Sequence, residues 1–311
     1  MLRGAAGASC RGAAAAGACA AAWACWPRTE GGGDGERARA RVAPLAAASR
    51  AWGGVARAPL PGFARRPLLG AYCRLYGADA REASRPLEEY ESLAAFFSRE
   101  LRPGARKVAT EGRDGRRLLS PCDGHVLAAG RLRPGGVLEQ VKGMTYRPEE
   151  LLDVERLPEG ARNLHYAVIY LAPGDYHAIH APAALRLRSP PRRVPGRLLP
   201  VSPAVAAWVP RLHATNERLI LEGEWADGRY LGLVAVGALG VGSIVLERGL
   251  ARALRQELPS ADAAPGERLG AFEMGSTVVL LYDAPEDWAL EATEGAAVRM
   301  GQPLARQPPC K

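Results

Sequence analysis

The chain has 311 residues, 41 Lys and Arg against 33 Asp and Glu, and a net charge of +8. Its length allows one main domain with a full core and an N-terminal extension. Six cysteines (Cys10, Cys19, Cys25, Cys73, Cys122, Cys310) show neither metal-ligand spacing nor a disulfide framework, which argues for a reducing or neutral compartment.

The excess charge sits in one place. Between Arg37 and Ala78 there is no Asp or Glu, but there are eight arginines, and the rest of the chain is balanced. An acidic surface partner is expected for such an arm. Residues 1–29 lack acids and carry Arg3, Arg11 and Arg28 in an Ala-rich background, the pattern of an organelle transit peptide. A secretory leader is the competing reading, although Ala is a poor apolar core. The uncharged run from Gly12 to Pro27 is shorter than the ~20 residues of a membrane span. A Gly-rich linker follows, from Glu30 to Gly35.

The arm interleaves its arginines with Trp52, Phe63, Leu68, Leu69, Tyr72 and Tyr76. Such a segment can lie on an anionic bilayer, apolar groups in the interface and guanidinium groups at phosphates. A nucleic-acid backbone would meet the same charges. Pro59, Pro61 and Pro67 are expected to break any long helix. From Leu87 to Leu101 the spacing of Leu87, Tyr90, Ala94 and Phe97 predicts a helix, ended by Pro103-Gly104.

Next, Ser120-Pro121-Cys122-Asp123-Gly124 reads as a turn between apolar strands, with Asp123 at the junction. A strand is expected over Val137 to Val141 and a short helix over Pro148 to Leu152. The run His165 to Leu171 predicts a buried strand entering a Pro173-Gly174 turn. His177 and His180 follow, three residues apart. No third ligand completes a zinc site, so they read as acid–base groups at a strand end. Residues 184–203, rich in Pro and Arg, are expected to form a loop over the site. Asp227-Gly228 predicts a hairpin between strands at 216–223 and 230–236. The Gly-rich stretch Gly237 to Ser243 has no following helix, so it is no dinucleotide loop.

The last informative stretch is Met274-Gly275-Ser276-Thr277 running into Val278 to Tyr282, a tight turn feeding a buried strand. Ser276 places a hydroxyl one residue past the Gly275 carbonyl. It could attack that carbonyl if a base and an orienting group stand nearby.

Taken as an ordered set, Phe96 to Arg106, Ser120-Pro121-Cys122-Asp123-Gly124, Gln140-Val141-Lys142-Gly143, Leu171 to His177, Val236-Gly237-Ala238 and Gly275-Ser276-Thr277 resemble the phosphatidylserine decarboxylases, over about residues 86–311. Ser49-Arg50-Ala51-Trp52-Gly53 and the basic arm resemble the mitochondrial branch. The resemblance implies an α+β fold with a strand-rich, sandwich- or barrel-like core and N-terminal amphipathic helices. It divides the chain into a leader and linker (1–36), a membrane-associating arm (37–85) and a catalytic domain (86–311). Self-cleavage between Gly275 and Ser276 is implied, leaving a β chain to 275 and an α chain 276–311, expected as a heterodimer or a dimer of heterodimers. By motif, Asp123, His180 and Ser276 form the processing triad, and His177 serves the decarboxylation. Ser276 becomes a covalent pyruvoyl cofactor, which takes the serine amine of phosphatidylserine as a Schiff base. CO2 is lost and phosphatidylethanolamine formed at the mitochondrial inner membrane. No metal and no nucleic-acid partner are implied. Met274 and Cys122 depart from the family pattern, where Leu and a small Ser or Ala are usual.

Two readings from other classes use the same residues. A Ser-His-Asp lipid hydrolase would attack an external ester with an intact chain, often from a Gly-x-Ser-x-Gly elbow, absent here. A non-catalytic lipid-surface protein would keep the arm and tolerate loss of Ser276.

Overall fold

The computed structural model describes residues 53–307, apart from 110–116, 134, 142–143, 159–160, 239–243, 259–261 and 274–275. These all belong to one compact unit, Pro44–Lys311. The leader, the start of the arm, Lys142-Gly143, most of the Gly237–Ser243 stretch and the Met274-Gly275 pair lie outside the described residues.

Three long apolar runs become the centre of the molecule. These are β5 (Leu164–Leu171), β10 (Arg229–Val236) and β13 (Ser276–Asp283). Nearly every residue in them is buried, so both faces are covered and the alternation of a half-exposed strand is missing. With β2 (Gly124–Arg131), β7 (Arg186–Leu187), β9 (Arg218–Trp225) and β15 (Ala297–Val298) they form an antiparallel sheet in the order β15-β2-β5-β13-β10-β9-β7, and β8 (Arg192–Val194) also pairs with β9. Among the described residues this sheet stays open rather than closing into a barrel. The predicted hairpin joins β9 to β10, with Asp227 and Gly228 at φ 58° and 78° as a tight turn requires.

One face of the sheet packs on a second, three-stranded sheet of β6 (Ala178–His180), β11 (Ile244–Leu246) and β12 (Arg268–Phe272), in the order β11-β12-β6. Ile169, Leu171, Ile179, Leu233, Leu269, Phe272, Val278 and Leu280 share the main core between them. Cys122 is fully buried in the same core, where it packs as a small apolar group.

Three expectations change. Residues 62–76 form one helix, α1 (Gly62–Tyr76), that runs through Pro67. Proline lies near the helical φ and forfeits only the bond to the Phe63 carbonyl, close to the helix start. The helix predicted over 87–101 is two short pieces, a 3-10 turn at Leu87–Glu89 and α2 (Leu93–Phe97). Ser92 divides them, because its side chain accepts from the Ala95 N–H and so caps a new helix start. The segment expected as a loop over the site supplies instead the edge strands β7 and β8 on β9. Leu187 and Val194 point inward there, and Pro190-Pro191 falls between the two strands, where no ladder bond is needed.

Leu280 is fully buried on β13, between β5 and β10. Leu280→Ala is expected to cost ~2–5 kcal/mol, read as a lowered denaturant midpoint at unchanged slope.

Candidate active site

Ser276 opens β13, directly opposite Leu171 at the end of β5. It is wholly buried, and among the described residues neither its hydroxyl nor that of Thr277 has a hydrogen-bond partner. A buried hydroxyl left unpaired costs roughly 1–3 kcal/mol, and such groups concentrate where chemistry needs them. Beyond Leu171 the chain turns sharply. Asp175 closes the turn, its Oδ2 accepting from the Ala172 N–H at 2.7 Å and its own N–H donating to the Ala172 carbonyl at 2.9 Å. Burial raises the Asp175 carboxyl above its ordinary value. Gly174 must be glycine here, because a Cβ would lie 2.1 Å from the Tyr76 carbonyl at the end of α1.

The turn delivers His177. Its Nδ1–H donates to the Asp175 carbonyl at 2.9 Å, and its ring lies 3.8 Å from that of Phe97, centroid to centroid. Burial pushes its pKa down to about 3, so the ring is neutral. Its Nε2 is buried and has no hydrogen-bond partner. Ser276 faces Leu171 across the ladder, and the turn that follows Leu171 carries His177.

His180, at the end of β6, is buried, and its pKa is lowered by that burial, a shift that the Asp123 charge partly opposes. Its Nδ1 faces the Gly266 carbonyl at 2.8 Å and therefore carries the proton. Nε2 is then the acceptor, 3.1 Å from the Tyr176 hydroxyl, which donates.

Asp123 is close in the chain path, since the His180 N–H donates to the Pro121 carbonyl at 2.8 Å. Its carboxylate, however, does not bond His180. Arg106 donates from Nε at 3.0 and 3.1 Å and from Nη2, and the Met300 N–H adds a bond of 2.9 Å. Arg106 also pairs with Glu82 at 2.8 Å. The orienting partner of His180 is thus a backbone carbonyl. Gly124 lets Asp123 sit here, because a Cβ would lie 2.3 Å from the Tyr170 carbonyl of β5.

Sequence reasoning gave Tyr176, Arg99 and Arg106 no role, although all three lie inside the motif stretches quoted. Gly266 could not have been found, because any residue supplies a carbonyl. A cavity of about 240 Å³ adjoins the cluster, lined in part by Arg99, Arg106, Asp123, Asp175 and Tyr176. No group of His, Cys, Asp and Glu among the described residues could hold a metal ion. The arrangement offers a hydroxyl next to a peptide link, two neutral imidazoles with unprotonated Nε2 atoms, and a carboxylate fixed in an ion pair.

Comparison with known proteins finds relatives of the chain. The relatives are decarboxylases named as proenzymes. The chain is 34% identical over 302 residues to the mitochondrial phosphatidylserine decarboxylase proenzyme of Cricetulus griseus, covering 84% of this chain and 71% of that protein. Identity is 37% over 275 residues with the mitochondrial proenzyme of Caenorhabditis elegans, again 84% and 71%, and 38% over 278 residues with the proenzyme of Anaeromyxobacter sp. (strain K), covering 85% and 95%. Residues 93–306 match the family model for phosphatidylserine decarboxylase, so the chain belongs to the phosphatidylserine decarboxylase family, a family of carboxy-lyases.

The buried imidazoles carry a pH prediction. His177 and His213 both have pKa values of about 3 in the fold, against an ordinary 6.5, each because of burial. The unfolded chain therefore binds their protons first, and stability is full above pH ~6.5 and falls as pH drops from there towards 3. Denaturant midpoints measured from pH 7.5 to 5 are expected to fall, and His213→Gln, which cannot take the proton, should shallow that slope.

Proposed function

We propose that the chain is made as a proenzyme, cuts itself between Gly275 and Ser276, and then converts phosphatidylserine to phosphatidylethanolamine and CO2. The observation that carries this reading is the buried, unpartnered Ser276 hydroxyl at the head of β13. A surface turn would have solvated it.

In the proposed self-cleavage, His180 Nε2 takes the Ser276 hydroxyl proton, directly or through the Tyr176 hydroxyl, which hands its own proton to Nε2 as it receives the serine's, and Oγ attacks the Gly275 carbonyl. The acyl group moves from nitrogen to oxygen, giving an ester. Elimination then releases the Gly275 carboxylate and leaves dehydroalanine at 276, which hydrolyses with loss of ammonia to a pyruvoyl group. Asp123 acts on His180 through its charge. The fit of the pyruvoyl group rests on Ser276, whose position is closed to bulk water on both faces of the sheet. When formed, its conjugated ketone supplies an electron sink for loss of the substrate carboxylate. His177, with a free Nε2 beside the site, is proposed to deliver a proton to the carbon that loses CO2, since its low pKa makes the imidazolium, once formed, a ready donor.

The two pieces should stay together as a heterodimer, because β13 is a central strand of the sheet. The arm is proposed to hold the enzyme on an anionic membrane surface, in keeping with the mitochondrial inner membrane. Phe63, Leu68 and Leu75 are exposed on α1 among Arg65, Arg66 and Arg74. No described helix is long and apolar enough to cross a membrane. Arg57 also bonds Glu273, two residues before the Gly275 link, so the arm touches the cleavage segment.

A denaturing gel with intact mass tests the cleavage. Wild type is expected as two pieces, the smaller, 276–311, blocked at its N-terminus, and Ser276→Ala as one uncut, inactive chain. Activity from an unsplit wild-type chain would instead support the hydrolase. Phe63 and Leu68 are each worth roughly 1.5–3 kcal/mol when buried in an interface. Phe63→Asp with Leu68→Asp should therefore cut co-sedimentation with anionic vesicles by about tenfold or more.

A further inference from the structure

Arg99 is only 3% exposed, yet among the described residues no carboxylate pairs with it. Its Nη2 reaches the carbonyls of Gly174 at 3.2 Å and Asp175 at 3.4 Å, and its guanidinium carbon lies 4.9 Å from the Phe96 ring centroid. Nε and Nη1 are buried with no partner among the described residues. A desolvated cation with two idle donors is costly in a folded core. Burial accordingly depresses the Arg99 pKa. Arg106, beside the same cavity, shows the contrast, since Asp123 and Glu82 both neutralise it.

The position of Arg99 is informative. On one side stands α1, whose Tyr72 hydroxyl donates to the Pro173 carbonyl at 2.5 Å. On the other stands His177, whose Nδ1–H and the Arg99 Nη2 share the Asp175 carbonyl. Arg99 thus lies between the helix with the exposed apolar side chains and the imidazole of the proposed decarboxylation.

We infer that Arg99 binds the phosphodiester of the lipid headgroup, its idle donors turning to the two phosphate oxygens as the headgroup enters past α1. This rests on the proposed phospholipid activity of the site. The headgroup holds two anions, and the chemistry separates them. A guanidinium on the carboxylate would stabilise the form that must be lost, and so raise the barrier to CO2 release. A guanidinium on the phosphodiester anchors a group that does not change, and it binds planar oxygen pairs well.

The test uses the full chain carrying Ser276→Ala, which cannot form the pyruvoyl group. Dihexanoylphosphatidylcholine, kept monomeric, offers a phosphodiester but no carboxylate or primary amine. It should raise the melting midpoint by about 2–4 °C, the rise vanishing with Arg99→Gln and partly surviving with Arg99→Lys. In the wild-type background, Arg99→Gln should still yield the 276–311 fragment and raise KM for phosphatidylserine ~10-fold, more than it lowers kcat. An Arg99-dependent rise with free serine but not with the lipid would overturn the inference in favour of the carboxylate. So would a lipid-induced rise that persists in Arg99→Gln, or a fall in kcat at unchanged KM, which would make Arg99 only a support for the His177 turn. If Arg99→Gln does not fold, the graded loss in Arg99→Lys decides. A wild-type chain that never cuts itself, yet shows the Arg99-dependent rise, would sink the self-cleavage reading and leave this one standing.

Discussion

The pairing of β13 with β5 places the whole site. Ser276 stands opposite Leu171, and the ladder continues through Asp283 opposite Leu164. Leu171 is also the last strand residue before the turn that presents His177. Because side chains alternate faces, a slip of one residue would move the Ser276 hydroxyl to the other side of the sheet. The apolar run after Ser276 resists that slip, since Val278 to Tyr282 are all buried. The same run holds two unpaired hydroxyls, Ser276 and Thr277, out of water, where neither would sit for its own sake.

The electrostatics divide into two compartments. Around the strand head, burial keeps His177 and His180 neutral, and each Nδ1–H is tied to a backbone carbonyl, of Asp175 and Gly266 respectively. That choice of tautomer leaves both Nε2 atoms unprotonated and able to accept. The Asp123 carboxylate is held to one side, where Arg106 bridges it to Glu82. Asp123 therefore reaches His180 by field and not by contact in the uncut chain. An imidazole oriented by a carbonyl can change partners on protonation without leaving a buried carboxylate exposed, because that carboxylate already has its cation.

Much of this was legible because it follows local rules. The apolar run after Gly-Ser-Thr, the Asp227-Gly228 turn and the Asp-Tyr-His sequence after Pro-Gly each signal an element with its own chemistry. Where the reading failed, a competing local interaction decided the outcome. Pro67 was tolerated because one lost carbonyl bond does not end a helix anchored by the fully buried Leu69. Ser92 divided a periodic stretch by capping it. The partners of Asp123 and His180 were beyond reach for a different reason. Arg106 is 17 residues away and looks like any other arginine in a basic chain. Gly266 acts through its carbonyl, which every residue owns, so only the fold reveals it.

The topology bears on what cleavage would do. The piece that begins at Ser276 supplies β13, with β5 on one side and β10 on the other. It also supplies β15, at the edge beside β2, and the Met300 N–H that donates to Asp123. A cut at 275–276 would break one covalent link, whereas separating the pieces would open four ladders, of β13 with β5 and with β10, of β15 with β2 and of Pro303–Arg306 with Arg117–Leu119, and would expose the core between them. After such a cut the new N-terminus would stay where the hydroxyl was, held from both sides by backbone hydrogen bonds that do not depend on the severed peptide. In such a fold a chain can spend its own serine and keep the site it was built into.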